Sequence, residues 1–216
     1  MSSDATANTR ARPRPRRRRS DGERSREAIL RTAAGLATVE GITGLSIGRL
    51  AGAVGMSKSG LFAHFGSKEE LQLATIDTAG DIFRDVVVEP ALRERTGIGR
   101  LRALAERFLA HVEDGVFPGG CFFASVAAEV DTHPGPVRDL ALGVVGDWSR
   151  LLVGAATDAR EEGAIDRSHD PVQVAFEVNA YLLLANAQFV ASGSPNSLRR
   201  ARRAIDRLLG AAAAPA

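Results

Sequence analysis

A single cysteine, Cys121, in 216 residues excludes an intrachain disulfide framework and suits a reducing, cytoplasmic setting. Aromatic residues are scarce at 5%, and the apolar/polar alternation that marks strands is nearly absent, so the class reads as all-α. Long hydrophobic runs are also missing. The longest, Ala180-Tyr-Leu-Leu-Leu-Ala185, falls far short of the roughly 18 residues of a membrane span, and no membrane partner is expected. The N-terminus is basic but has no apolar h-region, so it is not a secretory signal. The four histidines, His64, His111, His133 and His169, show neither metal-ligand spacing nor a cysteine cluster. No nucleophile elbow, Walker loop or dinucleotide fingerprint occurs. No metal, no cofactor and no enzymatic activity are therefore expected.

What is present is unevenly distributed. Residues 1–20 hold seven arginines against one acid, Asp4, a net of +6; because the whole chain is +2, the remainder carries −4. A basic arm on a mildly acidic body suits a polyanionic partner, although terminal Arg/Pro runs are often plain solvated tails. Residues 1–22 contain no large apolar side chain after Met1 and should be a disordered Arg-rich arm.

From Glu23 the pattern turns helical. Ile29, Ala33, Leu36 and Ala37 share one face, and Gly41 ends that helix. Ser46 caps a short helix bearing Ile47, Leu50, Ala51 and Val54, which Gly55 stops; Ser57 caps another bearing Leu61, Phe62 and Phe65. Ser67-Lys-Glu-Glu70 is a capping box opening a fourth helix, expected to run to near Glu89 and to end at Pro90. Further helices are expected at 97–114, 118–132, 135–162, 171–192 and 196–210, about nine in all.

Two short helices joined across Gly55-Met56-Ser57 have the form of a helix-turn-helix, whose second helix enters the major groove of DNA. Its groove-facing residues should be Lys58, Ser59, Gly60, Ala63 and His64, a surface bare of the Arg or Asn that read bases bidentately. Backbone approach, contacts to thymine methyls and DNA shape should then carry much of the specificity. The helix N-termini at Ser46 and Ser57, with Lys58 and Lys68, are candidate phosphate anchors.

The run Ser46-Ile-Gly-Arg-Leu-Ala-Gly-Ala-Val-Gly-Met-Ser-Lys-Ser-Gly-Leu-Phe-Ala-His-Phe-Gly-Ser-Lys-Glu-Glu-Leu71 resembles the DNA-binding region of the TetR family of bacterial repressors. The resemblance rests on Ala51, Gly55, Ser57, Leu61, His64, Phe65, Lys68 and the acidic pair before Leu71. Phe62 departs from it, standing where relatives commonly carry a tyrosine whose hydroxyl touches phosphate. Gly60 and Ala63 are also smaller than usual. For Phe65 packing of the small domain is the favoured role; for Phe62 packing and DNA contact both stay open.

The resemblance implies a DNA-binding domain at 23–82 with its motif at about 45–64, and a ligand-binding and dimerisation domain at 83–213. It implies a ligand-responsive repressor that binds double-stranded DNA at a palindromic operator, as a homodimer through the last two helices, and is released by a small, largely apolar effector. Candidate effector contacts are Phe108, Cys121, Phe122, Trp148, Phe176 and Asn179. Asn179 and Asn186 share one face of the most apolar helix; they either meet across a two-fold axis or line a pocket. The final helix sets Ala201, Ala204, Ile205, Leu208 and Leu209 against a basic face, which suggests a partner helix. A sequence-tolerant nucleic-acid binder driven by the arm, and an enzyme in the helical half, are the competing classes.

Overall fold

The computed structural model describes residues 16–214, with side chains from Gly22 onward. Among these residues the chain forms nine helices and no strand beyond one isolated antiparallel bridge, Ile165 to Ala213. The helices are α1 (Arg16–Glu40), α2 (Ile47–Val54), α3 (Lys58–Phe65), the composite α4, α5 (Gly97–Glu113), α6 (Phe122–Val130), α7 (Pro136–Glu161), α8 (Pro171–Ser192) and α9 (Asn196–Ala211). The all-α reading and its helix count hold.

Two boundaries differ from expectation. α1 begins at Arg16, so the disordered-arm reading is corrected over residues 16–22; the rest of the arm lies outside the described residues. Arginine is a strong helix former and no proline follows Pro15, so the amphipathic helix propagates backwards into the basic run. The rod α4 starts as Lys68–Phe83, passes through a π-helical turn, Arg84–Val88, and finishes as Glu89–Ala91. Pro90 does not stop it at once. The wider π turn, in which Glu89 N–H reaches back to Arg84 O, lets Pro90 sit in the first turn of a new helical register, where its missing donor costs little.

Packing follows the apolar stripes. Ile29, Leu30, Ala33, Ala34 and Ala37 of α1 are buried where α1 meets α4 and α6. α7 is the hub of the C-terminal half, contacting α4, α5, α6 and α8. By length and averaged composition α7 and α8 could each cross a bilayer, which a search for unbroken apolar runs misses. Both are nevertheless built into this bundle, with Trp148 and Leu152 of α7 and Val178 and Leu182 of α8 buried. α9 spends its apolar face inside the chain: Leu198, Ala201, Ile205 and Leu209 are buried, and α9 packs on α8 and α5. Arg202 reinforces this through Glu106 and Glu113 of α5, at 2.9 and 2.8 Å.

Candidate functional sites

The helix-turn-helix forms by local rules. Ser46 Oγ accepts from Arg49 N at 3.2 Å and Ser57 Oγ from Gly60 N at 3.1 Å, each satisfying an orphan amide at a helix start. Gly55 closes α2 at φ 68°, a left-handed conformation that glycine adopts without steric cost. Leu50, Ala51, Leu61 and Phe65 are buried in the crossing, and the Arg26 guanidinium lies 4.7 Å over the Phe65 ring. Phe65 is thus a packing residue.

The outward face of α3 carries Lys58, Ser59, Phe62, Ala63 and His64, with Gly60 half-buried. Phe62 is 55% exposed, so it presents its ring to solvent and does not pack the small domain. The Ser67 box forms only in part: Glu70 N donates to Ser67 Oγ at 3.0 Å, whereas Ser67 N goes to Phe65 O at 2.7 Å. Lys68, read as a phosphate anchor, donates through Nζ to Thr43 O at 2.5 Å, which pins the turn between α1 and α2.

That turn is held from three sides. Gln72 Nε2 donates to Ile42 O at 2.7 Å, buried beneath it. The Glu129 carboxylate, on α6 in the other half of the chain, accepts from Ile42 N at 2.7 Å, Thr43 N at 2.9 Å and the Thr43 hydroxyl. A few residues earlier, Gly119 N donates to Thr38 Oγ1 of α1 at 3.0 Å. A Cβ on Gly119 would stand 2.1 Å from Thr38 O, so only glycine allows this approach. Glu40 at the end of α1 pairs with Arg49 of α2, and their hydrogen bond holds the Glu40 carboxyl below its usual pKa.

The second site is a cavity of about 210 Å³. α4 contributes Phe83, α5 Phe108, α7 Val144, Val145 and Trp148, and α8 Asn179 and Leu183; Cys121 and the α6 residues Phe123, Ala124, Ala127 and Ala128 complete the wall. Phe83 is the centre of the ring cluster, edge-on to Trp148 at 5.3 Å and to Phe123 at 6.1 Å between centroids. Four of the six residues expected to meet an effector, Phe108, Cys121, Trp148 and Asn179, converge here. Two do not. Phe122 is buried but points away from the cavity, one residue round the helix from Phe123, and Phe176 is 68% exposed on α8. Phe83 and the α6 alanines were missed, because neither hydropathy nor spacing shows which side of a buried helix faces a void.

The side-chain oxygens of both α8 asparagines find donors within the chain. Trp148 Nε1 donates to Asn179 Oδ1 at 3.0 Å, and Cys121 N to Asn186 Oδ1 at 2.9 Å. Of the two alternatives for these asparagines, the cavity lining is met by Asn179, and Asn186 is buried against the Cys121 amide. Burial pushes the Cys121 thiol up to about 11, outweighing the Phe123 and Ala124 amides that favour its thiolate. Desolvation takes His111 down to about 4; it is 4% exposed, neither ring nitrogen has a partner among the described residues, and Phe83 and Phe117 stand edge-on to it. Among the described residues no group of His, Cys, Asp or Glu side chains could hold a metal ion.

Comparison with known proteins agrees with this arrangement. Residues 29–75 match the family described as "Bacterial regulatory proteins, tetR family", and residues 97–205 match "Tetracyclin repressor-like, C-terminal domain". No curated protein matches the chain. Among solved structures, a TetR transcriptional regulator from Chloroflexus aurantiacus J-10-FL superposes with TM-score 0.82 at 23% identity, covering 91% of this chain and 100% of that one. AibR, solved with isovaleryl coenzyme A and operator DNA, superposes at 0.68 with 25% identity, covering 88% and 99%. A regulator from Saccharomonospora viridis in complex with choline superposes at 0.74 with 19% identity, covering 90% and 100%.

Proposed function

The chain belongs to the TetR family of transcriptional regulators, and from that premise we propose that it is a cytoplasmic, ligand-responsive repressor rather than an enzyme. It binds a palindromic operator in double-stranded DNA as a homodimer and leaves it when a small, largely apolar effector enters the cavity. The observation that carries this reading is the double role of α6: Ala124, Ala127 and Ala128 line the cavity, and Glu129, the next residue, clamps the turn that feeds the helix-turn-helix. A ligand that shifts α6 or Phe83 of α4 therefore changes the seat of α2 and α3. Such a ligand must bind the DNA-incompetent form more tightly, or the equilibrium does not move. AibR, solved with both an operator and a small molecule, supports the pairing of these two activities.

On DNA, the N-termini of α2 at Ser46 and of α3 at Ser57, with Lys58, contact phosphates. Lys68 adds its remaining donors while holding Thr43. Ser59, Gly60, Phe62 and His64 face the groove, and Phe62 offers a ring edge for thymine methyls. In the dimer, a second copy covers the apolar stripe of α8, where Val172, Phe176, Leu183, Leu184 and Val190 are all exposed. Residues 172, 176, 183 and 190 fall within about 40° of one another at 3.6 residues per turn, with 184 to one side. α9, whose apolar face is already buried, flanks this contact with its arginines.

The test is selection of bound duplexes from a random pool, followed by footprinting. The expected outcome is a two-fold site with half-sites about 34–36 Å apart. Equal binding to selected and scrambled duplexes at moderate salt refutes the repressor. Binding that depends wholly on the Arg-rich arm, with no sequence preference, supports the sequence-tolerant alternative.

A further inference from the structure

The cavity has a chemical character that its place in the fold does not dictate. No charged side chain lines it, and its polar side chains are Cys121, Trp148 and Asn179. An ion buried there would meet no counter-charge and would keep its desolvation penalty uncompensated. The rings do not form an open cage for a quaternary ammonium either. Phe83 lies at 81° to Trp148, 77° to Phe123 and 76° to Phe108, so these aromatic surfaces are largely spent on one another.

Hydrogen-bond direction supplies the remaining constraint. The indole N–H can only donate, so Asn179 must turn its oxygen to Trp148. Its amide nitrogen, with two donors, is left for other use, and no acceptor meets it among the described residues. Asn179 is half-buried and lines both the cavity and the groove between α7 and α8; a second copy over Val172 and Phe176 closes the groove side, which leaves the cavity as the place where a guest meets that nitrogen. Trp148 acts as a positioning residue that fixes which end of the amide is offered.

We propose that the effector is an uncharged, apolar molecule of one or two fused rings carrying a single hydrogen-bond acceptor, such as a ketone, received by Asn179 Nδ2. The size follows from volume: a dry cavity of about 150 Å³ holds one benzene, and this one is somewhat larger. The inference rests on the regulator reading above and names the ligand class of its cavity.

The test is calorimetry on the full-length chain with three probes: α-tetralone, tetralin (the same skeleton without the carbonyl) and phenyltrimethylammonium. The ketone should bind at least tenfold more tightly than tetralin, and the ammonium should not bind. Asn179→Leu should abolish or invert the ketone preference while keeping tetralin affinity, which shows that the cavity survives. Asn179→Asp, nearly isosteric and still able to accept from Trp148, has no donor once ionised, so its ketone preference should fall as pH is raised and be lost when the carboxylate forms. Equal affinities in the unmodified chain, a preference unchanged in both variants, no binding of either neutral probe, or tighter binding of the ammonium would each overturn the proposal. Operator binding in the same samples separates the two readings. Ketone binding without operator release supports the ligand class and counts against effector-driven release. Operator binding by a protein that ignores both neutral probes sinks the ligand class and leaves the DNA-binding reading standing.

Discussion

Replacing Glu129 with alanine removes the only side chain of α6 that reaches the turn between α1 and α2 through hydrogen bonds among the described residues. The carboxylate takes three of them, from Ile42 N at 2.7 Å, Thr43 N at 2.9 Å and the Thr43 hydroxyl. Ile42 is fully buried, so its amide loses a partner that water replaces poorly, at about 1–3 kcal/mol. Thr43 is exposed and its two donors rehydrate, so each is worth roughly 0.5 kcal/mol. The total is about 2–4 kcal/mol, opposed only in part by Gln72 and Lys68, which grip the carbonyl side of the same turn. If half of this serves to hold α2 and α3 in their DNA-ready seat, operator affinity falls about tenfold, since roughly 1.4 kcal/mol is one decade.

Two assays read the change: fluorescence anisotropy on the selected operator, and hydrogen exchange at the Ile42 and Thr43 amides. Both should respond, with exchange at Ile42 accelerating most. Glu129→Gln should be intermediate, because one amide oxygen still accepts while the NH₂ confronts a donor. Unchanged affinity together with unchanged exchange at Ile42 would refute the reasoning, because the carboxylate would then be holding nothing that its neighbours do not.

Three other outcomes are expected. His111 is held neutral, near 4 when folded against an ordinary 6.5, so the unfolded chain binds the extra proton. Stability from this group is complete above pH 6.5 and is lost as pH falls towards 4, by about 3 kcal/mol at 1.4 kcal/mol per unit; urea titrations at pH 7.5 and 4.5 measure it, and His111→Phe should flatten the difference. Phe62→Tyr adds a hydroxyl to a ring that is 55% exposed, at no cost to packing. Operator affinity should rise about fivefold through one new phosphate contact of roughly 1 kcal/mol, whereas an unchanged or weaker affinity places the ring away from the backbone. Phe176→Glu with Leu184→Glu puts charge on a stripe that is 68% and 58% exposed at these positions. Light scattering should report a folded monomer with operator binding lost, and a persisting dimer would rule out the α8 contact.

Much of this protein is written locally. The limits of α8 follow from Asp170, Pro171 and Gly193, which cap its two ends, and from the apolar periodicity between them. The serines at 46, 57 and 67 mark where α2, α3 and α4 begin, because a hydroxyl satisfying an amide three residues on needs no distant partner. The exposed face of α3 was legible for the same reason: on a helix of two turns, burying Leu61 and Phe65 leaves few places for the other side chains to go. Residues 16–22 of the arm and Pro90 were misjudged where a local rule met a neighbour. The arginine run extended a helix already nucleated beyond it, and a π turn absorbed the proline.

Tertiary structure decided everything that depends on the azimuth of one helix against another. Phe122 and Phe123 are indistinguishable in composition, yet a rotation of about 100° per residue sends only the second into the cavity. Asn179 faces Trp148, Asn186 the Cys121 amide and Glu129 the Ile42–Thr43 turn, across separations of 31, 65 and 87 residues or close to it. The sequence alone required only that these polar groups find partners. Which partners they found was determined when α6, α7 and α8 packed, since the cost of leaving such groups unpaired is paid in the assembled core and nowhere along the isolated chain.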